Sequence, residues 1–395
     1  MATVPSAEMA RAASPTPGGL LPLPLSVWPT ETRLLLGLVV TWCLFGLLVL
    51  LSASWWPSLQ ETGSGFYTIQ RQLIWLAISW GLLLLVIRTS IRRLLHLAGP
   101  AVLIGCVLIA LTLVVGTEVN GASRWLVLGP IQLQPTELVK PFVVLQGAAL
   151  FAHWRRISPD QRLLWLGIFG TLILLILKQP NLSTAALTGL LLWFIALASG
   201  LPLTTMGGVA GLGAAAGTLS ILINDYQRER VTSFLNPWKD ARDSGYQLVQ
   251  SLLAIGSGGT TGSGFGLSTQ KLSYLPIQTT DFIFSVYAEE FGLVGSLVLL
   301  LFLGVFGLVG LQVALRARGN QLRLVAIGAT TLLVGQSIMN IAVASGAMPT
   351  TGLPLPLVSY GGNSLLASLF TAGLLIRCSL ESAEHSSPVS GRSPS

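Results

Sequence analysis

A single carboxylate, Asp281, follows two threonines and directly precedes the apolar run that begins Phe282-Ile-Phe284. Aspartate is favoured at helix N-caps, where its side chain accepts hydrogen bonds from the first backbone N–H groups. Aspartate can also take a proton from a reacting hydroxyl, and apolar surroundings make it a better base by raising its pKa. The sequence therefore predicts that Asp281 caps a helix, acts as a general base, or does both.

Cationic side chains that could stabilise a developing negative charge lie in other polar segments. In the segment 120–142, Glu137 and Lys140 are three residues apart and therefore share a helix face, so a local ion pair is expected. Lys140 also lies inside an apolar helix, where a cation is costly unless it faces a cavity or a partner. The candidate cations are Arg124, Lys140, Arg242 and Lys271, with Lys239 as a further candidate.

Two further groups of polar residues border the same apolar runs. Ser359 lies in a segment, 348–364, that holds three prolines and three glycines and leads into the last helix. Its backbone N–H groups could bind an anion, and a tight turn without a ligand fits the composition equally well. Glu289 and Glu290 would point about 80° and 180° away from Asp281 on a continuous helix, so we expect at least one of them to form a structural pair.

The composition identifies the elements that must position these residues. The chain has 395 residues, of which 52% are hydrophobic and 9% charged, whereas soluble proteins carry about 25% charged residues. Apolar runs of about 20 residues recur, which is the length of a membrane-spanning helix. We therefore predict an all-α polytopic membrane protein and no β-barrel. Ten spans are predicted, at about 34–53, 72–90, 99–117, 137–154, 163–178, 183–200, 203–223, 282–315, 322–345 and 364–378.

Charge distribution predicts the orientation. With the N-terminus inside, 13 of the 22 basic residues fall in inside segments, whereas ten of the 15 carboxylates fall on the outer side. We predict disordered cytoplasmic tails at 1–30 and 380–395, a membrane domain at 31–379, and a large extracytoplasmic loop at 224–281 between spans 7 and 8. The net charge of +7 indicates basic cytoplasmic loops and no nucleic-acid partner.

The polar segments together resemble the SEDS family of bacterial cell-wall proteins (shape, elongation, division and sporulation) over about residues 33–378. Two segments, QKLSYLP (270–276) and FYTIQRQLIW (66–75), are more similar in sequence to the division members of the family than to the elongation members. The resemblance rests on Gly121 to Trp125, Gln134 to Glu137 with Lys140, Gly245 to Leu248 with Gln250-Ser251, the Gly-rich segment 256–266, Tyr274 to Pro276, Thr280 to Phe284, and Pro349 to Ser364.

The resemblance implies a peptidoglycan glycosyltransferase of the inner membrane that polymerises lipid II on the extracytoplasmic side. It also implies a class B penicillin-binding protein and other cell-division proteins as partners, and Asp281 as the catalytic carboxylate. Arg124, Glu137, Lys140, Arg242, Lys271 and Ser359 are the expected substrate-binding residues, with Gln278, Thr280, Glu289 and Glu290 in support.

The chain departs from the family pattern in four places. Thr279 stands where the family commonly has histidine, and Asn181 where it has a carboxylate. Thr136 and Asn363 each replace a serine. Another group must therefore orient Asp281, and Gln278, Thr279 or a basic residue from elsewhere are the candidates.

A single carboxylate is chemically sufficient for glycan polymerisation. The attacking hydroxyl must lose a proton, whereas a pyrophosphate leaves as a stable anion and needs positive charge instead of an acid. That charge comes from arginine and lysine, and a divalent ion (Mg²⁺ or Mn²⁺) is left open as a further source. Two alternatives remain: a lipid II translocase, and a non-catalytic scaffold that recruits the penicillin-binding protein.

Overall fold

The structure is a computed structural model that describes residues 28–119, 122–129, 131–272 and 274–384. Most of both predicted tails therefore lies outside the described residues. The helices in the described ranges are α1 (Thr30–Thr62), α2 (Tyr67–Arg88), α3 (Ile91–Val115), α4 (Pro135–Ala152), α5 (Pro159–Lys178), α6 (Leu182–Ala198), α7 (Leu203–Ile223), α8 (Asp225–Leu235), a 3₁₀ helix (Pro237–Asp240), α9 (Tyr246–Gly258), α10 (Ile283–Arg316), α11 (Asn320–Ala344) and α12 (Gly362–Glu384).

Each of the ten predicted apolar runs coincides with one of these helices. Eight helices in the described part of the chain are long and apolar enough to cross a membrane, and they are α1, α2, α3, α5, α7, α10, α11 and α12. The other two predicted spans correspond to α4, which carries Glu137 and Lys140, and to the shorter apolar helix α6. The prediction of an all-α polytopic membrane protein is confirmed.

The connections that carry the candidate residues meet at one end of the helix bundle, here called the site end. Hydrogen bonds join the strand region after α3 to the α5–α6 connection, α8 to the α11–α12 connection, and that connection to the segment before α10. The opposite end holds the ion pair between Glu31 at the start of α1 and Arg316 at the end of α10. The predicted gathering of polar residues at one end is therefore present.

Three short antiparallel strands follow α3, and the sequence did not predict them. They are β1 (Thr117–Val119), β2 (Ala122–Leu128) and β3 (Ile131–Leu133), in the order β1-β2-β3. Arg124 and Trp125, in a polar segment that suggested a loop, both belong to β2. β1 and β3 have only three residues each, which is too short to show a recognisable alternation of apolar and polar side chains.

Helix α10 is broken near its first third, which explains why the apolar run 282–315 is too long for one span. Gly292 has φ 64° and ψ −161°, a conformation outside the helical region that glycine tolerates. The N–H groups of Leu293 and Val294 consequently donate to the carbonyls of Gly259 (2.9 Å) and Thr260 (3.1 Å) instead of continuing the helix.

The Gly-rich segment also binds the carbonyl groups that this break leaves free. Ser263 and Gly264 donate their N–H groups to the carbonyls of Glu289 and Glu290, each at 3.0 Å. A β-carbon on Gly262 would lie 2.1 Å from the Glu290 carbonyl oxygen, so this close approach requires glycine. Segment 259–264 is thus irregular backbone that packs into the broken helix, where protein groups satisfy its hydrogen bonds.

The spans differ greatly in how far they are covered by protein. Helix α12 is buried along most of its length and packs against α2, α4 and α11. Helix α7 is almost entirely exposed and packs against α6 and α8. The site end is therefore built on a firmly packed group of helices, with α7 and α8 at its periphery.

Candidate active site

Asp281 lies two residues before α10 and is half-buried. The N-cap residue of α10 is Phe282, and no side chain caps this helix end. The prediction that Asp281 caps the helix is therefore wrong, because the backbone turns once more before the helix begins. The Asp281 carbonyl accepts a hydrogen bond from Asn340 Nδ2 of α11 at 2.8 Å, and the same amide group donates to the Leu353 carbonyl at 2.8 Å.

Ser359 and Tyr360 hold the backbone just before Asp281. The Ser359 hydroxyl donates to the Thr280 carbonyl at 2.6 Å and accepts from the N–H of Leu355 at 2.8 Å. The N–H of Tyr360 donates to the Thr279 carbonyl at 2.8 Å. Ser359 is buried, and its hydroxyl hydrogen is already used within the protein, so its predicted contact with substrate stays a prediction.

Arg124 and Asp281 both lie beside Gly352. The Nε and Nη2 of Arg124 donate to the carbonyls of Gln179 (3.2 Å) and Pro180 (2.8 Å), which fixes the guanidinium against the α5–α6 connection. A β-carbon on Gly352 would lie 3.3 Å from Arg124 Nη1 and 3.7 Å from Asp281 Oδ2. The structure thus brings these two predicted site residues together beside Gly352.

Arg230 is a third charged residue at the site, and sequence reasoning did not select it. It projects from α8, stacks its guanidinium 4.6 Å from the ring centre of Tyr226, and donates Nη1 to the Thr350 carbonyl at 3.0 Å. Tyr226 and Arg230 are four residues apart and so share a face of α8. The spacing of these two residues could have indicated a helix with both side chains on one face, but residues 224–281 were predicted to form a loop.

The surroundings of Asp281 suit a base that works near neutral pH. Loss of hydration raises the pKa of Asp281 to about 6, against the opposing effects of Arg230 and, next, Arg124. A hydrogen bond from Thr280 also lowers this pKa, whereas the nearby charge of Glu137 raises it. A carboxylate with a pKa of about 6 is mostly ionised at pH 7 and still accepts a proton readily.

Glu137 and Lys140 form the ion pair expected from their spacing, at 2.7 Å and almost fully buried. Lys140 also donates to Gln336 Oε1 of α11 at 2.7 Å, and Gln336 donates to the Pro354 carbonyl at 2.8 Å. Gln336 thus links the ion pair to the segment that contains Gly352. A small cavity beside it, of about one water molecule in size, is lined by Glu137, Lys140, Leu332, Leu333, Gln336, Pro356, Ala367, Ser368 and Thr371.

The other predicted site residues lie apart from this centre. Lys271 pairs with Glu290 at 2.8 Å, which confirms that one of the two adjacent glutamates is structurally paired. Gln278 donates to the Lys271 carbonyl at 2.8 Å and does not orient the Asp281 side chain through that bond. Arg242 is exposed in the turn between the 3₁₀ helix and α9.

The residues around Asp281 do not form a ready metal site. Within the described ranges, no three or more histidine, cysteine, aspartate or glutamate side chains are grouped so that they could hold an ion. Glu137, the carboxylate that influences Asp281, is already paired with Lys140.

Comparisons with known proteins agree with this architecture. The family model of FtsW, RodA and SpoVE, described as "Cell cycle protein", matches residues 32–384. A curated relative from Synechocystis sp. is 53% identical over 358 residues, which cover 90% of this chain and 91% of that protein. One from Halorhodospira halophila is 37% identical over 371 residues, covering 91% and 93%. Both carry the name "Probable peptidoglycan glycosyltransferase FtsW", the division member.

Two solved structures share the fold. One, described as "Structural coordination of polymerization and crosslinking by a peptidoglycan synthase complex", is 33% identical with a TM-score of 0.73 and covers 87% of this chain and 96% of that chain. The rod shape determining protein RodA of Thermus thermophilus is 33% identical with a TM-score of 0.64 and covers 87% and 95%. The chain therefore belongs to the FtsW/RodA/SpoVE family, the SEDS family that its polar segments predict.

Proposed function

We propose that this protein is a peptidoglycan glycosyltransferase that polymerises lipid II into β-1,4 glycan strands during septal cell-wall synthesis. The observation that carries the proposal is the Asp281 carboxylate, which lies with Arg124 beside Gly352 and has a pKa raised to about 6. None of the ion pairs found in the described ranges includes Asp281, so its oxygens are not neutralised by a partner within 4 Å. The names of the curated relatives support the same activity.

In the proposed reaction, Asp281 accepts the proton of the C4 hydroxyl on the acceptor sugar. The oxygen attacks C1 of the donor sugar while the bond from C1 to the pyrophosphate oxygen breaks, with inversion at C1. The lipid pyrophosphate leaves with the electron pair. Arg124, held at two carbonyl groups, supplies preorganised positive charge near the leaving group, so no second carboxyl group is needed as an acid.

The distribution of charge supports a site end that faces away from the cytoplasm. Basic residues are concentrated in the connections at the opposite end, as expected for cytoplasmic loops. We place the protein in the bacterial cytoplasmic membrane with both termini inside. A polyprenyl tail would then reach the site sideways from the lipid bilayer, while the sugars lie in water.

The proposed partners are a class B penicillin-binding protein and other cell-division proteins. The solved structure with the higher TM-score belongs to a complex that couples polymerization to crosslinking, which supports a transpeptidase partner for this chain. Division, as opposed to elongation, is supported by the name shared by the curated relatives.

The decisive experiment is polymerisation of lipid II by the purified protein in lipid nanodiscs, with and without its partner. Asp281→Asn keeps the size of the side chain but removes the base, so we expect glycan product to disappear while the melting temperature is retained. Asp243→Asn, an exposed aspartate of the same long connection, is the matched control. Polymer formation by Asp281→Asn at the wild-type rate would remove Asp281 as the base.

A lipid II translocase is the second candidate, and the buried Glu137–Lys140 pair favours it. Ionisable residues within membrane-spanning helices commonly line transport paths. The two functions differ in product, because a translocase moves lipid II across vesicles without joining sugars. Transport of labelled lipid II by Asp281→Asn vesicles, together with no polymer from the wild type, would favour the translocase.

A further inference from the structure

Lys271 lies in a buried polar cluster that joins three parts of the chain. Its Nζ donates to Glu290 Oε1 of α10 and to Ser52 Oγ of α1, both at 2.8 Å. Ser52 donates in turn to the same glutamate oxygen at 2.5 Å. The three residues are 6%, 2% and 5% exposed, so two of the three ammonium N–H groups of Lys271 are used inside the protein.

The neighbouring glutamate binds the turn that leads into Lys271. Glu289 accepts hydrogen bonds from the N–H and the hydroxyl of Thr269, each at 2.9 Å, and from the N–H of Gln270 at 3.3 Å. The hydroxyl of Ser268 donates to it as well. Because Glu289 has four uncharged donors, its negative charge is satisfied without a cation.

Glu289 and Glu290 therefore both bind the connection between α9 and α10, through their side chains and through their backbone. Their carbonyl groups hold the Gly-rich segment at the break in α10, as described above, and their carboxylates hold residues 268–271. Gln278 continues the attachment, because its Nε2 donates to the carbonyls of Lys271 (2.8 Å) and Ala53 of α1 (3.4 Å). Asp281 follows three residues later.

The stretch between Lys271 and Asp281 needs such support because its backbone is strained. Ile277 has φ 55°, a left-handed conformation that is unusual for a β-branched residue. Strain of this kind persists only where the surrounding structure imposes it. Two attachments impose it here: the Lys271 cluster on one side, and Ser359 and Tyr360 on the other.

We propose that Lys271 and Glu290 are positioning residues that fix the loop carrying Asp281 against α1 and α10, and that Lys271 does not bind substrate. The inference rests on the proposed polymerase activity. A buried ion pair adds little net stability, but removal of one partner leaves the other charge buried and unpaired. If Lys271 bound substrate, neutralising Glu290 as well would not restore activity. If Lys271 positions the loop, neutralising both partners should restore activity, because no buried charge is left unpaired.

The test is a double-mutant cycle with Lys271→Met and Glu290→Gln in the lipid II polymerisation assay. Each single variant should lower kcat by about 100-fold with little change in KM, because a misplacement of about 1 Å at a catalytic group costs that much. The double variant should recover to within about tenfold of the wild type, because it leaves no unpaired buried charge. Lys178→Met, at an exposed lysine that ends α5, should match the wild type.

Two results would overturn the proposal. A double variant as impaired as Lys271→Met alone would show that Lys271 itself acts on substrate, and so would a rise in KM without a change in kcat. If a single variant fails to fold, recovery of folded protein by the double variant supports the ion pair, and failure of the double variant counts against it.

Hydrogen–deuterium exchange separates this proposal from the proposed function, because it needs no turnover. Residues 268–281 should exchange faster in Lys271→Met than in the wild type and slow again in the double variant. If the wild type makes no polymer, the proposed function fails while exchange still tests the positioning role. Unchanged exchange in Lys271→Met would refute that role even in an active enzyme.

Discussion

Arg124 and Asp281 lie close to the same glycine, since a β-carbon on Gly352 would lie 3.3 Å from Arg124 Nη1 and 3.7 Å from Asp281 Oδ2. The cation and the base come from distant parts of the chain, β2 and the segment before α10. Both lie beside a backbone position that carries no side chain. If Asp281 and Arg124 have their proposed roles, a substrate group in the space at Gly352 would be within reach of both.

Gly352→Ala is expected to lower polymerisation by about tenfold or more without unfolding the protein. The added methyl group would be in tight contact with Arg124 and would occupy space between it and Asp281. Initial rates of glycan synthesis measure the effect. Gly256→Ala is the control, because a β-carbon there meets open space. Equal rates for both variants would show that the space at Gly352 is not used.

Arg230→Ala is expected to shift the pH dependence of activity toward higher pH. Arg230 is the strongest of the charges that lower the pKa of Asp281, so its removal raises that pKa above about 6. As the proposed base, Asp281 acts only when deprotonated, so the acid limb of the kcat/KM profile moves to higher pH and kcat/KM at pH 6 falls more than at pH 8. Arg228→Ala, on the same helix but paired with exposed Asp225, should leave the acid limb in place. An unshifted limb in Arg230→Ala would contradict the assigned electrostatic role.

Lys140→Ala is expected to reduce the free energy of unfolding by about 3–5 kcal/mol, because it leaves Glu137 buried without its cation. Glu137→Gln combined with Lys140→Met should restore most of that stability. Thermal unfolding in detergent, followed by fluorescence, provides the measurement. Exposed Lys178→Ala should change stability by less than about 0.5 kcal/mol. A mild loss in Lys140→Ala would mean that Glu137 finds another partner or takes up a proton.

Asn340→Leu is expected to lower kcat more than it raises KM. The substitution removes the two N–H groups that hold the carbonyls of Asp281 and Leu353 and leaves both carbonyls unpaired, at about 1–3 kcal/mol each. Steady-state kinetics with lipid II would separate the two parameters. A variant affected only in KM would place Asn340 in substrate binding instead.

The membrane architecture could be predicted because the bilayer imposes a simple rule on sequence. A span needs about 20 apolar residues, so each helix long and apolar enough to cross a membrane in the described ranges coincides with an apolar run in the sequence. The ion pair between Glu137 and Lys140 could be predicted for a similar reason, because spacing within one helix fixes which side chains meet. Both predictions depend only on local sequence.

The contacts between distant segments could not be predicted in the same way. Lys271 was expected to bind substrate, and only the folded chain shows that it lies beside Ser52 and Glu290. Arg230 reaches the site through a carbonyl group more than a hundred residues away in sequence, and no motif marks such a contact. The capping prediction for Asp281 was wrong because one extra turn of backbone precedes α10.

The break at Gly292 also affects the order in which the protein can fold. Leu293 and Val294 complete their hydrogen bonds with residues from an earlier connection, not with the preceding turn of their own helix. The backbone at the break in α10 therefore completes its hydrogen bonds only when the Gly-rich segment is in place. Such non-local pairing is slow because a long loop must close first. The geometry around Asp281 should consequently be among the last parts of the protein to form.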